Sequence, residues 1–168
     1  MMHFAEASSP GGSSTEQRAC DPGCRSAKKE ENAVDELIIA ATLENLPQVQ
    51  AFVEERLEAA ECPMRAQMHL SVVVEEVFAN IASYAYAPGT GEAIVRMEIS
   101  GEPKIVTITF LDRGIAYDPL ARTDPDVTLP AEERDIGGLG VFLTKKLMDE
   151  VLYERTDGYN ILTIRKKL

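Results

Sequence analysis

Three short polar clusters lie on otherwise apolar segments of this 168-residue chain, and the first combines a carboxylate with an amide. It is Glu75-Glu76-Val-Phe-Ala-Asn80, inside a segment with helical apolar spacing. At about 100° per residue, Glu76 and Asn80 share one helix flank, with His69 between them in angle and Glu75 on the outer side. Such a pair could share a site, with the carboxylate accepting a proton or orienting a nucleophile and the amide ligating a hard cation. A solvated helix flank is the simpler interpretation of this cluster alone.

The second cluster is Asp112-Arg-Gly114, with Asp118 a little further on, and it follows an apolar segment that predicts a strand. A carboxylate at a strand end can point into a pocket and accept a hydrogen bond from an amino group, such as that of adenine. Gly114 would let the backbone pass close to a ligand. An ordinary strand-to-turn Asp-x-Gly is the alternative.

The third cluster is Gly137-Gly-Leu-Gly140, which runs into a segment with the helical spacing of Val141, Leu143, Leu147 and Met148. A helix that begins here would offer unpaired N–H groups and a positive dipole end to an anion. The spacing is not that of a Walker A loop, and Leu143 occupies the place of the third glycine of a Rossmann fingerprint. The alternative is a flexible hinge before a helix.

The composition of the chain argues against two classes of binding partner. The net charge of -11 and the pI near 4.7 argue against nucleic acid and against an anionic membrane as partners. The three cysteines are too few for a disulfide scaffold, and no segment has the length of a membrane helix or the apolar core of a signal peptide. We therefore expect a protein of a reducing compartment, the cytoplasm.

The apolar periodicity of the sequence predicts the helices and strands that position the three clusters. Residues 1–33 are rich in Ser, Gly, Pro and charged residues and predict a disordered polar tail, followed by one domain over residues 34–168. Within this domain the predicted order is β-α-α-β-β-loop-α-β-β. We predict an α+β, two-layer sandwich whose mixed, mostly antiparallel sheet is covered on one face by helices. The segments are strand 36–42, a helix capped by Asn45 or Leu46, helix 65–86, strands 93–100 and 104–111, the glycine-led helix, and strands 150–155 and 160–166.

In this order the three clusters resemble the boxes of the GHKL superfamily of ATP-binding domains, and most closely those of its anti-sigma-factor serine/threonine kinase branch. The resemblance covers about residues 34–168. Glu76 and Asn80 match the E-x-x-x-N of the N box, and Asp112 and Gly114 match the D-x-G box. Gly137-Gly-Leu-Gly140 matches the G-x-G box. No single box is specific, but the ordered set is.

The resemblance implies a role for each matched residue. Asn80 would ligate the Mg²⁺ that bridges the ATP phosphates, and Glu76 would act as general base. Asp112 would bind the adenine amino group, and Gly114 would let the base lie against the backbone. The glycine box would bind the phosphates at its helix N-terminus, and residues 119–136 would form an ATP lid. This box comprises Gly137, Gly138, Leu139 and Gly140.

Three positions depart from the branch. Tyr84-Ala-Tyr86 stands where His-Ala-Tyr is common after the N-box asparagine, and Ala116 replaces the second glycine of a D-x-G-x-G box. A last-strand threonine usually contacts the adenine in this family. Here Asn160 and Thr163 are both candidates.

The implied function is that of a serine/threonine protein kinase and anti-sigma regulatory factor. It would transfer the γ-phosphoryl group of Mg·ATP to a STAS-type anti-anti-sigma partner and could sequester a sigma factor. The family works as a homodimer whose first helices form much of the partner surface. The alternative is an ATP-binding partner-switch module that regulates by binding without phosphoryl transfer.

Overall fold

The sheet has five strands, and the computed structural model describes residues 34–121 and 139–168 of the chain. The strands are β1 (Asp35–Ala40), β2 (Glu92–Ser100), β3 (Ile105–Asp112), β4 (Glu150–Thr156) and β5 (Tyr159–Lys167). They lie in the order β1-β2-β3-β5-β4, so that β5 separates β3 from β4.

The predicted α+β fold is confirmed, but the prediction of a mixed sheet is wrong for the described strands. All four strand pairs are antiparallel. Two helices join β1 to β2, so the chain re-enters the sheet at the end where β1 left it and runs in the opposite direction. Both β3 and β4 pair antiparallel with β5 and therefore run in the same direction. No parallel ladder forms between these two strands because β5 lies between them.

Within the described ranges, three helices cover one face of this sheet. They are α1 (Leu46–Ala59), α2 (Met64–Asn80) and α3 (Leu139–Leu147). The predicted helix 65–86 differs at its end, because the α-helix stops at Asn80 and continues as a π-helical turn over Ile81–Ala85. The first strand is also shorter than predicted. It ends at Ala40, whose carbonyl accepts a hydrogen bond from Asn45 Nδ2 (2.9 Å), so the Asn45 side chain holds the strand end and does not cap α1.

The core lies between the helices and the alternate strand residues that face them. Phe78 and Phe110 are among its largest fully buried side chains, and Leu70 and Ile108 are fully buried as well. Burying a side chain of this size stabilises the fold by about 1.5–3 kcal/mol. The core packs α2, the helix that carries Glu76 and Asn80, against the middle of the sheet.

The opposite face of the sheet bears an apolar row that crosses four strands, which we call the open-face row. Ile38 pairs with Ile94, Ile94 with Leu111, and Leu111 with Ile161. Ile38 is 56% exposed, and Leu152 of β4 on the same face is 45% exposed. Within the described residues no helix packs on this face.

None of the helices in residues 34–121 and 139–168 has the length and apolarity needed to cross a membrane.

Candidate functional site

A cavity of about 680 Å³ lies between the helix layer and the β3-β5-β4 end of the sheet. Its size falls in the range of roughly 300–1,000 Å³ typical of small-molecule sites. Both boxes that the structure describes in full supply wall residues: Glu76 and Asn80 from α2, and Asp112 from the end of β3. The remaining wall is mostly apolar and includes Val77, Ile81, Ile115, Leu139, Val141, Val151 and Leu162.

Glu76 and Asn80 lie on the same flank of α2, as the spacing predicts, and both side chains are half-buried in the cavity wall. Glu75 points outward, where its Oε2 accepts a hydrogen bond from Gln50 Nε2 (3.4 Å). His69 does not reach this site. It lies seven residues before Glu76, roughly 10 Å along the helix axis, and lines a separate surface cleft with Lys166 and Lys167.

Helix α3 begins directly against the Glu76 carboxylate. A Cβ atom added at Gly140 would overlap Glu76 Oε2, so any side chain at this position would require the Glu76 carboxylate to move. One turn later, the buried Thr144 donates its hydroxyl hydrogen to the Gly140 carbonyl (2.8 Å). Gly140 of the third cluster therefore lies against Glu76 of the first cluster, although the two residues are 64 positions apart in the sequence.

Asp112 is only 6% exposed at the floor of the cavity. Its Oδ1 accepts hydrogen bonds from Gly114 N (2.9 Å) and Asn160 Nδ2 (2.9 Å). Its Oδ2 accepts no hydrogen bond from any residue within 34–121 or 139–168. One oxygen is thus fixed by the protein, and the other is left for a ligand.

The π-helical turn anchors the loop after Asp112. Its Ala85 carbonyl accepts a hydrogen bond from Ile115 N (2.8 Å), and a Cβ at Gly114 would overlap that same carbonyl. Tyr86 completes the anchor, because its hydroxyl accepts from Arg113 N (2.7 Å) and donates to Glu92 O (2.5 Å). Burial is the main cause that raises the pKa of this hydroxyl. Gly114 is buried beside the cavity, and its contact with Ala85 is the reason visible in the structure for a glycine there.

The two candidates of the last strand lie on opposite faces of β5. The side chain of Asn160 lies in the cavity wall, hydrogen-bonded to Asp112. Thr163 lies on the other face, where its hydroxyl pairs with that of Thr109 (3.2 Å). Of the two, only Asn160 reaches the site.

Asn80 is the described side chain of the cavity that fits a metal ion. No group of three or more His, Cys, Asp or Glu side chains within the described ranges could hold a metal ion by itself. Mg²⁺ usually takes one or two protein ligands, with phosphates and waters completing its shell, so a lone Asn80 oxygen in this cavity fits it. Gly137 and Gly138 lie outside the described residues, as does the predicted tail over residues 1–33. Of the predicted lid, residues 119–121 form a short 3₁₀ turn, and Pro119 and Leu120 line the cavity.

Sequence reasoning missed two polar residues of the site, Tyr153 and Arg155. Tyr153 donates its hydroxyl hydrogen to Asn160 Oδ1 (2.9 Å), and Arg155 NH1 donates to the same oxygen (2.6 Å). Both stand on one face of β4, at alternate positions with Val151. Strand alternation could have placed them together, but only the pairing of β4 with β5 places them at Asn160.

Comparison with known proteins supports the interpretation of these boxes. A model of the family described as "Histidine kinase-like ATPase domain" matches residues 39–166. The serine/threonine-protein kinase BtrW of Bordetella bronchiseptica is 31% identical over 100 residues, which cover 60% of this chain and 70% of BtrW. The serine-protein kinases RsbW of two Bacillus cereus strains are 25% identical over 97 residues, 55% of this chain and 59% of each RsbW. The match thus spans less than two thirds of the RsbW chains.

These matches confirm the predicted resemblance to the GHKL superfamily and its serine/threonine kinase branch. The printed names of the relatives also bear out the predicted enzyme class, that of a protein serine/threonine kinase.

Proposed function

We propose that this chain, which belongs to the histidine kinase-like ATPase family, is an ATP-dependent serine/threonine protein kinase and anti-sigma regulatory factor. One observation carries the proposal. A single cavity of about 680 Å³ joins Glu76, Asn80, Asp112 and Gly140, which come from three separated segments of the chain.

Asp112 would recognise the adenine ring. Asp112 lines the cavity, and because its Oδ1 is held by Gly114 and Asn160, its Oδ2 would accept the hydrogen bond from the 6-amino group. Apolar side chains such as Ile81, Ile115 and Leu162 line the same cavity and would pack against the flat faces of a base. Recognition by one polar atom in an apolar pocket is how small-molecule sites fix orientation.

The phosphates would lie toward α3 and the C-terminal end of α2. The start of α3 offers backbone N–H groups and the positive end of a helix dipole, and Asn80 offers an amide oxygen to a cation. Bound Mg²⁺ would supply neutralisation of the phosphate charge. Gly137, Gly138 and Leu139 are proposed to complete this phosphate site together with Gly140.

Glu76 would act as the general base. The serine or threonine hydroxyl of a partner protein attacks the γ-phosphorus, its proton passes to the Glu76 carboxylate, and the bond from the γ-phosphorus to the bridging oxygen of ADP breaks. The position of Glu76 at the cavity wall, one helical turn before Asn80, supports this role. Positioning and charge neutralisation would supply most of the rate enhancement.

The phosphoryl acceptor is proposed to be a STAS-type anti-anti-sigma protein, with a sigma factor as a second partner. Helix α2 supports a protein-binding role for the first helices. Its outer face carries an exposed apolar stripe at helical spacing, formed by Met64 (70% exposed), Met68 (63%) and Val72 (43%). An apolar stripe of this kind on a solvent-facing helix is typical of a protein interaction site.

The chain is further proposed to form a homodimer in the cytoplasm. The open-face row supports the dimer, because self-association through a two-fold axis would cover this apolar surface on both copies.

The first test is Mg·ATP binding by titration calorimetry, with wild type, Asp112→Ala and Thr163→Ala compared. We expect saturable binding by wild type and by Thr163→Ala, whose side chain lies on the other face of the sheet. Asp112→Ala should bind roughly tenfold to a hundredfold more weakly, because the variant lacks the charged acceptor for the adenine amino group. Absence of wild-type binding to both ATP and ADP would refute the proposal.

Glu76→Gln separates the kinase from the partner-switch alternative. The amide keeps the size of the side chain but cannot accept a proton, so nucleotide binding should persist while phosphorylation of a STAS partner falls by roughly 10²–10⁴-fold. Phosphorylation is followed with γ-labelled ATP and a purified STAS-type protein. If the variant regulates the partner as well as wild type does, the chain acts by binding alone.

A further inference from the structure

We infer that Asn160, held by Tyr153 and Arg155, is a positioning residue that fixes Asp112 as a reader of the purine 6-amino group. The inference rests on the proposed function and deepens it, because it names the residues that set base selectivity. It concerns three side chains on two neighbouring strands, β4 and β5, and one carboxylate at the end of β3.

The hydrogen bonds of Asn160 determine the orientation of its amide. On one side, Tyr153 OH (2.9 Å) and Arg155 NH1 (2.6 Å) both donate to Oδ1. On the other side, Nδ2 donates to Asp112 Oδ1 (2.9 Å) and to the Ile115 carbonyl (2.9 Å). A flipped amide would point its oxygen at a carboxylate and a carbonyl and its NH₂ group at two donors. Only one orientation is therefore compatible with the site.

Asn160 has no hydrogen-bonding capacity left for a ligand. Its NH₂ group has two hydrogens and both are used, and its oxygen already accepts two short bonds and a long one from Tyr117 N (3.5 Å). It is also only 6% exposed. Asn160 therefore acts on the base through Asp112 and not by direct contact.

The network also fixes the loop that follows Asp112. Arg155 NH1 and NH2 lie 3.4 Å from the Gly114 carbonyl, and Asn160 Nδ2 binds the next carbonyl, that of Ile115. Asp112 Oδ1 is held at the same time by Gly114 N. Carboxylate and loop are thus tied to one amide, which leaves Oδ2 as the oxygen that faces a ligand.

An oxygen fixed in this way discriminates between purines. It accepts a hydrogen bond from the 6-amino group of adenine, whereas the 6-oxo group of guanine would place two acceptors against each other. A purine without a 6-substituent would simply lack the bond. Without Asn160, the Asp112 carboxylate can rotate. The gain in affinity from the 6-amino group should therefore fall, while binding through the phosphates and the apolar wall remains.

The experiment measures dissociation constants of the full chain for Mg·ATP and for the Mg complex of purine riboside 5′-triphosphate, which lacks the amino group. We expect wild type to prefer ATP by roughly tenfold to a hundredfold, the range for a hydrogen bond to a charged acceptor. Asn160→Ala should lose most of this preference through weaker ATP binding, with affinity for the analogue unchanged within about twofold. Tyr153→Phe, which removes one donor to Asn160 and keeps the ring, should lose roughly threefold of the preference.

Thr163→Ala is the matched control, since it truncates a polar residue of the same strand on the opposite face, and its preference should equal that of wild type. If Asn160→Ala weakens both nucleotides equally, or leaves the preference intact, Asn160 has no positioning role although the chain still binds ATP. If Asn160→Ala does not fold by circular dichroism, Tyr153→Phe decides by the same ratio. If wild type binds neither nucleotide, the proposed function and this inference both fail.

Discussion

At the scale of single residues, the site contains two glycines at which a neighbouring group occupies the space that a side chain would fill. Gly140 makes room for Glu76 Oε2, and Gly114 makes room for the Ala85 carbonyl. The first contact joins the glycine box to the N box, and the second joins the D-x-G box to the π-helical turn that continues the N-box helix. The three boxes therefore meet at α2 and its π-helical continuation.

We expect Gly140→Ala to impair phosphoryl transfer while leaving the fold intact. The added methyl group would displace the Glu76 carboxylate or the start of α3, and a misplacement of about 1 Å in a reacting group can cost roughly a hundredfold in rate. Stability should not fall by the same measure, because alanine favours a helix over glycine by about 1 kcal/mol. The measurements are partner phosphorylation by initial rate and unfolding in urea.

Gly89→Ala is the control for this change. A Cβ at Gly89 would meet its nearest neighbour, the Tyr86 carbonyl, at 3.4 Å, an ordinary contact. Its phosphorylation rate should equal that of wild type. A Gly140→Ala protein with normal activity would show that the close approach of α3 to Glu76 has no part in catalysis.

At the scale of elements, local spacing predicted which site residues share one helix face. Strand pairing determined which residues of different strands meet in the site. The placement of Glu76 beside Asn80 follows from helical periodicity alone, and the structure agrees. The role of Asn160 requires β5 to pair with both β3 and β4, which puts it opposite Asp112 and Arg155. The two-residue Asp157-Gly158 turn sets the β4-β5 register, but no local pattern in the sequence predicts the pairing of β5 with β3. The π-helical turn after Asn80 was missed for a similar reason, since its anchoring contacts are with Arg113 and Ile115, about 30 residues away.

The junction between α3 and the sheet is held by Asp149, and its charge makes that junction sensitive to pH. Asp149 Oδ2 accepts from Lys167 N (2.7 Å) and lies 3.4 Å from Lys166 Nζ, and Lys166 Nζ also donates to the Leu147 carbonyl (2.9 Å). The hydrogen bond from Lys167 N is the largest cause that lowers the pKa of Asp149 below 3.8, with the Lys166 charge adding to it. A carboxyl whose folded pKa is lowered stabilises the protein above its unfolded pKa, and this contribution is lost as the pH falls through the folded value.

We therefore expect Asp149→Asn to lower the free energy of unfolding by about 0.5 kcal/mol near pH 7, a modest figure because the side chain is 39% exposed. The difference from wild type should shrink as the pH falls below 3.8. Urea unfolding at several pH values between about 7 and 3 measures it. The control is Asp157→Asn in the β4-β5 turn, where the residue has a φ of 54° that asparagine also adopts. A difference that does not change with pH would assign the effect to packing and not to charge.

At the scale of the whole molecule, the two layers present different apolar surfaces to solvent. The helix layer carries Met64, Met68 and Val72 on α2, and the sheet carries the open-face row with Leu152 beside it. The proposed homodimer and the proposed partner complex would each require one such surface. Because they lie on opposite sides of the sandwich, both could be occupied at the same time.

This arrangement predicts that a charge substitution on one surface affects only self-association, and one on the other surface affects only partner binding. Ile38→Lys places a charge at an exposed position of the open-face row and should convert the dimer to a monomer, since burial of an unpaired charge in an interface is costly. Met68→Lys places the same charge at a position of similar exposure (63% against 56%) on α2 and should leave the dimer intact while weakening the STAS partner. Sedimentation equilibrium reports the first effect, and partner binding by calorimetry the second. Dimers in both variants would exclude the open-face row as the interface, and loss of the dimer in Met68→Lys alone would place the self-association surface on the helix layer.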